Sequence, residues 1–224
     1  MTHVVHPYAH RLGIIRDWKS RWFGVGDNYK KFLKEDIVLR EFLAKRLRGL
    51  YVALVEIERS SRKLRLIIKT ARPGMLIGRQ GEGAVRLKEE VKKVMQKNGI
   101  PSDGLQIDVE EVRFPESSAP IVAHMIVEGL ERRMPFRRVL KQTAEKVIAS
   151  REVKGVRIAI SGRLGGAEMS RKEQIKKGML PLQTLRADVD FSRATAHLSY
   201  GTIGVKVWIY KGDIFKEKAK EKGR

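Results

Sequence analysis

Three glycines and an arginine in MLIGRQGEGAVRL, residues 75–87, form the stretch of this chain best suited to meet a phosphate. Glycine lets backbone approach an anion closely, and a helix opening after such a loop directs free N–H groups and a positive dipole end at it. The phosphate can belong to a small nucleotide or to a polynucleotide, and spacing separates the two. A dinucleotide fingerprint needs Gly-x-Gly-x-x-Gly directly after a strand, whereas the order here is Gly78-x-x-Gly81-x-Gly83, between two helical stretches. A Walker loop ends in Gly-Lys-Ser/Thr, and the chain contains no Gly-Lys pair. No nucleotide cofactor and no small-molecule substrate are therefore expected. The remaining reading is a clamp on a nucleic-acid backbone, with Gly78 and Gly81 clearing room for the strand, Arg79 supplying charge and Gln80 a neutral donor. The plain alternative is a tight helix–helix turn that binds nothing.

Other candidate chemistry is thin. The chain has no cysteine, which removes disulfides, thiolate metal sites and cysteine nucleophiles together. His3, His6 and His10 lie close in sequence, but no Asp, Glu or Cys stands near enough to complete a metal site, so they read as ordinary tail histidines. Asp188 and Asp190 alternate on one strand face without a second carboxylate cluster, and His124 sits beside Met125 in a helix, partly packed. No catalytic constellation and no metal are expected.

The charge points the same way. Lys and Arg total 47 against 26 Asp and Glu, giving a formal net charge of +21 and an isoelectric point near 10.4. Such a surplus makes a compact protein repel itself and implies a polyanionic partner. An anionic membrane fits less well than nucleic acid. No apolar run reaches the roughly 18–20 residues of a membrane-spanning helix, and IVAHMIV (121–127) is interrupted by His124. The N-terminus lacks the continuous apolar core of a secretory signal, and a reducing, cytosol-like compartment fits the absence of cysteine.

The elements that would position these residues follow from periodicity. Residues 29–48 read as an amphipathic helix with Phe32/Leu33, Ile37, Phe42/Leu43 and Leu47 on its apolar side, ended by Gly49. YVALVEI (51–57) and KLRLIIKT (63–70) read as an antiparallel pair, the second placing Leu64, Leu66 and Ile68 opposite Lys63, Arg65 and Lys69. A short apolar turn, the glycine loop, a helix over 84–97 with Val85, Leu87, Val91 and Met95 inward, and a third strand over 105–112 complete this part. RFPESSAP (113–120) reads as a linker, with Ser118 available to cap the next helix. Two helices at 120–133 and 136–150 follow, separated by Pro135, then a strand at 153–161, a loop and short helix at 162–178, and strands at 182–190, 194–200 and 203–210. The fold class is α+β in two domains. The boundaries are an arm at 1–16, a first domain at 17–114, a second at 115–211 with two helices on a mainly antiparallel sheet, and a basic tail at 212–224.

Gly-x-x-Gly between helices that cover one face of a three-stranded sheet is the arrangement of KH domains, where the loop holds about four nucleotides. The extra helix and strand at the N-terminus give the order of the type II variant. Trp18 and Trp22, among Arg16, Lys19 and Arg21, either stack on bases or anchor the arm.

Several stretches, in order and spanning nearly the whole chain, resemble one family. VHPYAHRLGI (5–14), ARPGMLIGRQGE (71–82), ERRMPFRR (131–138), SGRLGGAEMSR (161–171), and PLQTLRADVDF with YGTIGVKVWIYKG (181–212) are similar to the bacterial-type ribosomal protein S-three family of the small subunit. Relatives often carry a longer basic C-terminal extension, and a lysine where this chain has His3. The resemblance implies a ribosome-bound, non-enzymatic RNA-binding component of the subunit head. Its partners would be ribosomal RNA, neighbouring head proteins, and messenger RNA where the message enters. It also implies message contacts at Arg132, Arg133, Arg137, Arg138 and Lys141. Residues 137, 138 and 141 share one side of a helix at i, i+1 and i+4, which is equally the pattern of a solvated charged face. Arg11 and the loop residues Arg163, Gly165, Gly166, Arg171 and Lys172 are expected to dock on ribosomal RNA, glycines admitting the backbone and cations neutralising phosphates. The rivals are a free KH regulator and a nuclease or ATP-driven unwinding enzyme, the latter lacking a Walker lysine and clustered carboxylates.

Overall fold

The computed structural model describes residues 5–60, 63–101 and 104–214. His3 and the expected tail beyond residue 214 lie outside them. Two compact units result: Trp18–Pro115 form one, and the segment ending at Asp17 joins the residues from Glu116 onward in the other. That N-terminal segment contains a single helical turn, α1 (Pro7–His10).

In the unit starting at Trp18 the order is β1 (Ser20–Arg21), α2 (Asp27–Arg46), β2 (Val52–Arg59), β3 (Leu64–Thr70), α3 (Pro73–Ile77), α4 (Glu82–Lys97) and β4 (Leu105–Glu111). The sheet runs β1-β2-β3-β4, with β2 and β3 antiparallel and both outer pairs parallel. Four strands stand where three are expected. The extra one is the two-residue β1, held at the edge by Arg40 of α2, which donates to the carbonyls of Lys19 and Val55 at 2.9 Å and to the Ser20 hydroxyl at 2.7 Å. Leu39 and Leu43 of α2, Leu47 just past its end, and Leu87, Val91 and Met95 of α4 close over Ile57, Leu66 and Ile68. Each such buried side chain contributes roughly 1.5–3 kcal/mol.

Three expected inward residues are exposed instead: Leu33 and Ile37 of α2 and Val85 of α4. In α2 the buried place falls to Asp36, whose carboxylate accepts from the Trp22 indole at 2.8 Å and pairs with Arg59 at 3.4 Å. Trp22 also packs edge-on against Phe32, so it anchors the chain.

The face of this sheet turned from the helices is an ion-pair lattice. Glu58 accepts from Arg21 at 3.1 Å and from Arg65 at 3.3 Å, Arg65 also pairs with Asp108, and Lys69 lies 3.4 Å from both Glu56 and Glu110. The alternation seen in KLRLIIKT is real, but its cations are matched by carboxylates on the neighbouring strands. Hydrogen bonds from Gln106 and Arg65 hold the Asp108 carboxyl below its ordinary value.

The second unit contains α5 (Ala119–Glu131), α6 (Phe136–Ala149), β5 (Gly155–Gly162), β6 (Arg171–Gly178), β7 (Ala187–Leu198) and β8 (Gly201–Asp213). All neighbours in the order β6-β5-β8-β7 are antiparallel. α5 and α6 cover one face, where Ile126, Leu130, Leu140 and Val147 meet Ile158, Ile160, Val205 and Val207. Gly129 permits the close approach of the helices, since a Cβ there would lie 3.2 Å from Val139. Of the loop and short helix expected over 162–178, the helical part is a single 3-10 turn at Leu164–Gly166, and the rest leads into the strand β6. Its sequence, RKEQIKKG, offers only Ile175 to the core because β6 is an edge strand with one packed face. The separate strands expected at 182–190 and 194–200 are one strand, β7. Ser118 does not cap α5 through its side chain; Asp190 of β7 accepts the Ala119 N–H at 2.9 Å and does that work. Asp188 pairs with Arg16 at 2.6 Å.

Arg11, expected to dock on RNA, is fully buried. Its guanidinium donates to five backbone carbonyls: Ala187 at 2.6 Å, Thr184 at 2.9 Å, Leu182 at 3.0 Å, Pro7 at 3.1 Å and Pro181 at 3.4 Å. Burial pushes it below its ordinary pKa, yet an arginine remains charged. Arg11 thus ties the N-terminal segment to the loop before β7 and has no surface to offer a phosphate. His6 belongs to the same contact, edge-on to Phe191 at 4.8 Å. Arg11→Ala should lower the unfolding free energy by about 3 kcal/mol in urea titration, because the carbonyls lose a charged donor. Arg11→Lys should not restore it, since an ammonium has only three donors. An unchanged midpoint would return Arg11 to the surface.

Candidate nucleic-acid interface

The glycine loop is built by backbone constraints before any ligand is considered. α3 ends at Gly78 (φ 71°), a single 3-10 turn covers Arg79–Gly81, and α4 begins at Glu82. A Cβ on Gly83 would lie 2.5 Å from the Leu76 carbonyl oxygen, and one on Gly78 would lie 3.1 Å from the Gly83 nitrogen. These two glycines let the α3 and α4 backbones cross. Gly81 differs: its φ is 85°, and a Cβ there would meet nothing within 4 Å. Gln80 also takes a left-handed conformation (φ 51°), a strain of about 1–2 kcal/mol for a residue with a side chain. The outcome is a raised turn that displays Arg79 and Gln80 to solvent. Glu82, in the first turn of α4, itself complements the helix dipole and pairs with Arg86 at 3.3 Å, so a carboxylate shares the end assigned to phosphate. Met75, Ile77 and Val85 flank the loop as exposed apolar residues that can meet bases or sugars. Periodicity alone assigned Val85 to the core and concealed this.

A second cluster lies on α6 and the start of β6. Arg137 of α6 and Arg171 of β6 both approach Glu173, each at 3.6 Å, and their guanidinium groups stand 5.6 and 5.5 Å from the centre of the Phe136 ring. Phe136 packs on the core and so gives both arginines a fixed seat. Residues assigned to two separate sites therefore form one. Gly165 borders it, since a Cβ there would lie 3.9 Å from the Phe136 ring, and Leu164 is buried to anchor the loop. Gly165 and Gly166 both take left-handed conformations, at φ 71° and 82°. Arg132 pairs with Glu128 one helical turn back, and Arg133 occupies the left-handed position (φ 60°) that turns the chain into Pro135. Among the described residues, exposed Arg133, Arg138 and Lys141 form no ion pair. Arg163 is engaged internally, donating to the carbonyls of Ala167 and Tyr200 at 2.9 Å, so it shapes the loop. Lys172 lies on the opposite face of the sheet from Arg171.

Fold and site together define a KH-type RNA-binding protein with a second α+β domain. The KH domain family matches residues 38–117, and the family described as ribosomal protein S3, C-terminal domain, matches residues 126–209. The chain is 44% identical over 225 residues to small ribosomal subunit protein uS3 of Caldicellulosiruptor saccharolyticus, covering 100% of this chain and 99% of the relative. It is 42% identical to the uS3 proteins of Clostridium novyi, with 97% and 96% covered, and of Nitrosococcus oceani, with 97% and 94% covered. The chain belongs to the uS3 family of small ribosomal subunit proteins. Among the described residues no helix is long and apolar enough to cross a membrane.

The two kinds of glycine separate by mutation. Gly83→Ala should disrupt the unit it sits in, seen as loss of its cooperative melting transition, because a backbone carbonyl blocks the new methyl. Gly81→Ala should lower stability by only about 1–2 kcal/mol. Equal effects would refute the assignment of Gly83 to helix crossing and Gly81 to the loop.

Proposed function

We propose that this protein is a structural, non-enzymatic component of the small-subunit head that binds ribosomal RNA and guides messenger RNA where it enters. Family membership supports the ribosomal setting. The observation that carries the message-handling part is the cluster on α6 and β6. Among the described residues Arg138, Lys141 and Arg133 are exposed and form no ion pair, beside Arg137 and Arg171 seated on Phe136. Cations left unpaired in a folded protein are available to phosphates, and their binding weakens as salt rises because releasing condensed counterions into a saltier bulk gains less entropy. Arg132, held by Glu128, supports the edge of the same surface.

The raised turn of Gly78, Arg79, Gln80 and Gly81 is a second RNA contact in this reading, with Met75, Ile77 and Val85 as its apolar border. Gly165, Gly166 and Lys172 are the loop-side candidates for ribosomal RNA, while Arg171, expected there, joins the message cluster through Phe136 and Glu173. A neighbouring protein of the head has its own fitting surface: Tyr29, Leu33 and Ile37 recur at i, i+4 and i+8 along α2, all exposed, and Phe23 is 86% exposed. Apolar stripes of this kind match protein partners better than phosphates.

The triple variant Arg137→Ala/Arg138→Ala/Lys141→Ala should slow translation through a stable message hairpin while leaving an unstructured message nearly unaffected. Translation rates on the two messages read this directly. Equal slowing on both would overturn the message role.

A further inference from the structure

The C-terminal sheet has a second face, turned away from α5 and α6, and it is cationic. Alternation places Lys172, Gln174 and Lys176 of β6, Arg157 and Ser161 of β5, Lys206 of β8 and Arg193 of β7 on this side, since Ile158, Ile160, Val205 and Val207 fill the other. Lys172, Lys176, Lys206 and Arg193 are exposed and form no ion pair among the described residues. No aspartate or glutamate occupies any position on this face along β5, β6 or β8 up to Tyr210, or along β7 from Val189. The contrast with the lattice of matched charges on the other sheet is complete. Arg157 meets no carboxylate either among the described residues; it donates to the neutral carboxamide of Gln174 at 2.6 and 3.1 Å and lies over Trp208.

One pairing shows that folding alone does not account for this arrangement. Arg193 and Lys206 stand directly opposite each other on β7 and β8. Like charges facing across an antiparallel pair are destabilising, so the isolated fold carries a repulsion that an anionic ligand would relieve. The patch is extended. Lys172 and Lys176 lie roughly 13 Å apart along β6, and β6 and β7 are three strand spacings, roughly 14 Å, apart. A single phosphate would engage one corner of such an area, whereas a polynucleotide backbone would cover it.

The floor decides between RNA and an acidic protein. Ala159, Ser161 and Gly204 lie between the cations, leaving a shallow surface without an apolar anchor. The aromatic residues of this face are not available: Phe191 and Trp208 stack at 5.1 Å, and Phe191 is covered by His6 from the N-terminal segment. Protein interfaces centre on exposed aromatic or apolar residues, which this face lacks, while phosphate contacts need only cations and close approach.

We propose that this open sheet face is a ribosomal RNA docking platform, holding the backbone through Lys172, Lys176, Arg193 and Lys206. It rests on the reading of the chain as an RNA-binding ribosomal component and adds a surface to it. Ribosomal RNA is the occupant, not the message, because the cluster on α6 and β6 assigned to the message faces the other side of the same two-layer unit.

The test titrates salt against binding of the full chain to purified small-subunit ribosomal RNA, for the unaltered protein and for Lys172→Gln/Lys176→Gln/Lys206→Gln. The slope of log affinity against log salt should become shallower by about 2, and affinity at 0.1 M salt should fall at least about tenfold. The variant's melting temperature should be equal or higher, which excludes misfolding as the cause. If the unaltered protein binds and the variant keeps the same slope, the platform is refuted while RNA binding stands; if the unaltered protein does not bind, the underlying reading fails with it. A photocrosslinker at exposed Gln174 in assembled subunits should capture ribosomal RNA, and capture of a protein or of the message instead would overturn the proposal.

Discussion

Electrostatic self-repulsion is the constraint around which this molecule is organised. A chain of 224 residues with a formal charge of +21 must either match its cations internally or leave them facing a polyanion. It does both, in different places. On the KH sheet, Arg21, Arg65 and Lys69 are interleaved with Glu56, Glu58, Asp108 and Glu110, so the open face is close to balanced. In the C-terminal unit, among the described residues, Arg138 and Lys141 of α6 and Lys172, Lys176, Arg193 and Lys206 of the outer sheet face form no ion pair. Individual exposed ion pairs contribute little to stability, and the lattice matters chiefly because it removes those cations from the RNA-facing set.

A second device uses arginine against backbone. Arg11, Arg40 and Arg163 each direct several N–H donors at main-chain carbonyls, and each ties down a segment that lacks enough apolar residues to hold itself. Guanidinium suits this role because its donors are fixed in one plane and its charge survives burial. The consequence for function is a subtraction. Arginines in loops and arms, which composition suggests as phosphate ligands, act here as structural fasteners.

Much of the fold was legible in the sequence. The Gly78-x-x-Gly81 spacing, the helices around it and the alternation of β3 and β8 pointed to the KH-type order and to an α+β second unit, and the uS3 relatives agree. What escaped depended on partners distant in sequence. Asp36 sits inside α2 because Trp22 and Arg59 satisfy it, and no helical periodicity announces a buried carboxylate. β6 looked helical or irregular because an edge strand with one packed face needs only Ile175. Arg11 looked like an RNA ligand because backbone carbonyls leave no trace in residue type. The loop at Gly165 and helix α6 looked like two sites, and only Phe136 and Glu173 in three dimensions made them one.

The central claim is that unpaired cations of the C-terminal unit face RNA in the assembled particle. The most direct measurement places a photocrosslinker at position 138, on α6, in small subunits engaged on a message. The account predicts crosslinks to messenger RNA. Crosslinks to protein alone would contradict it.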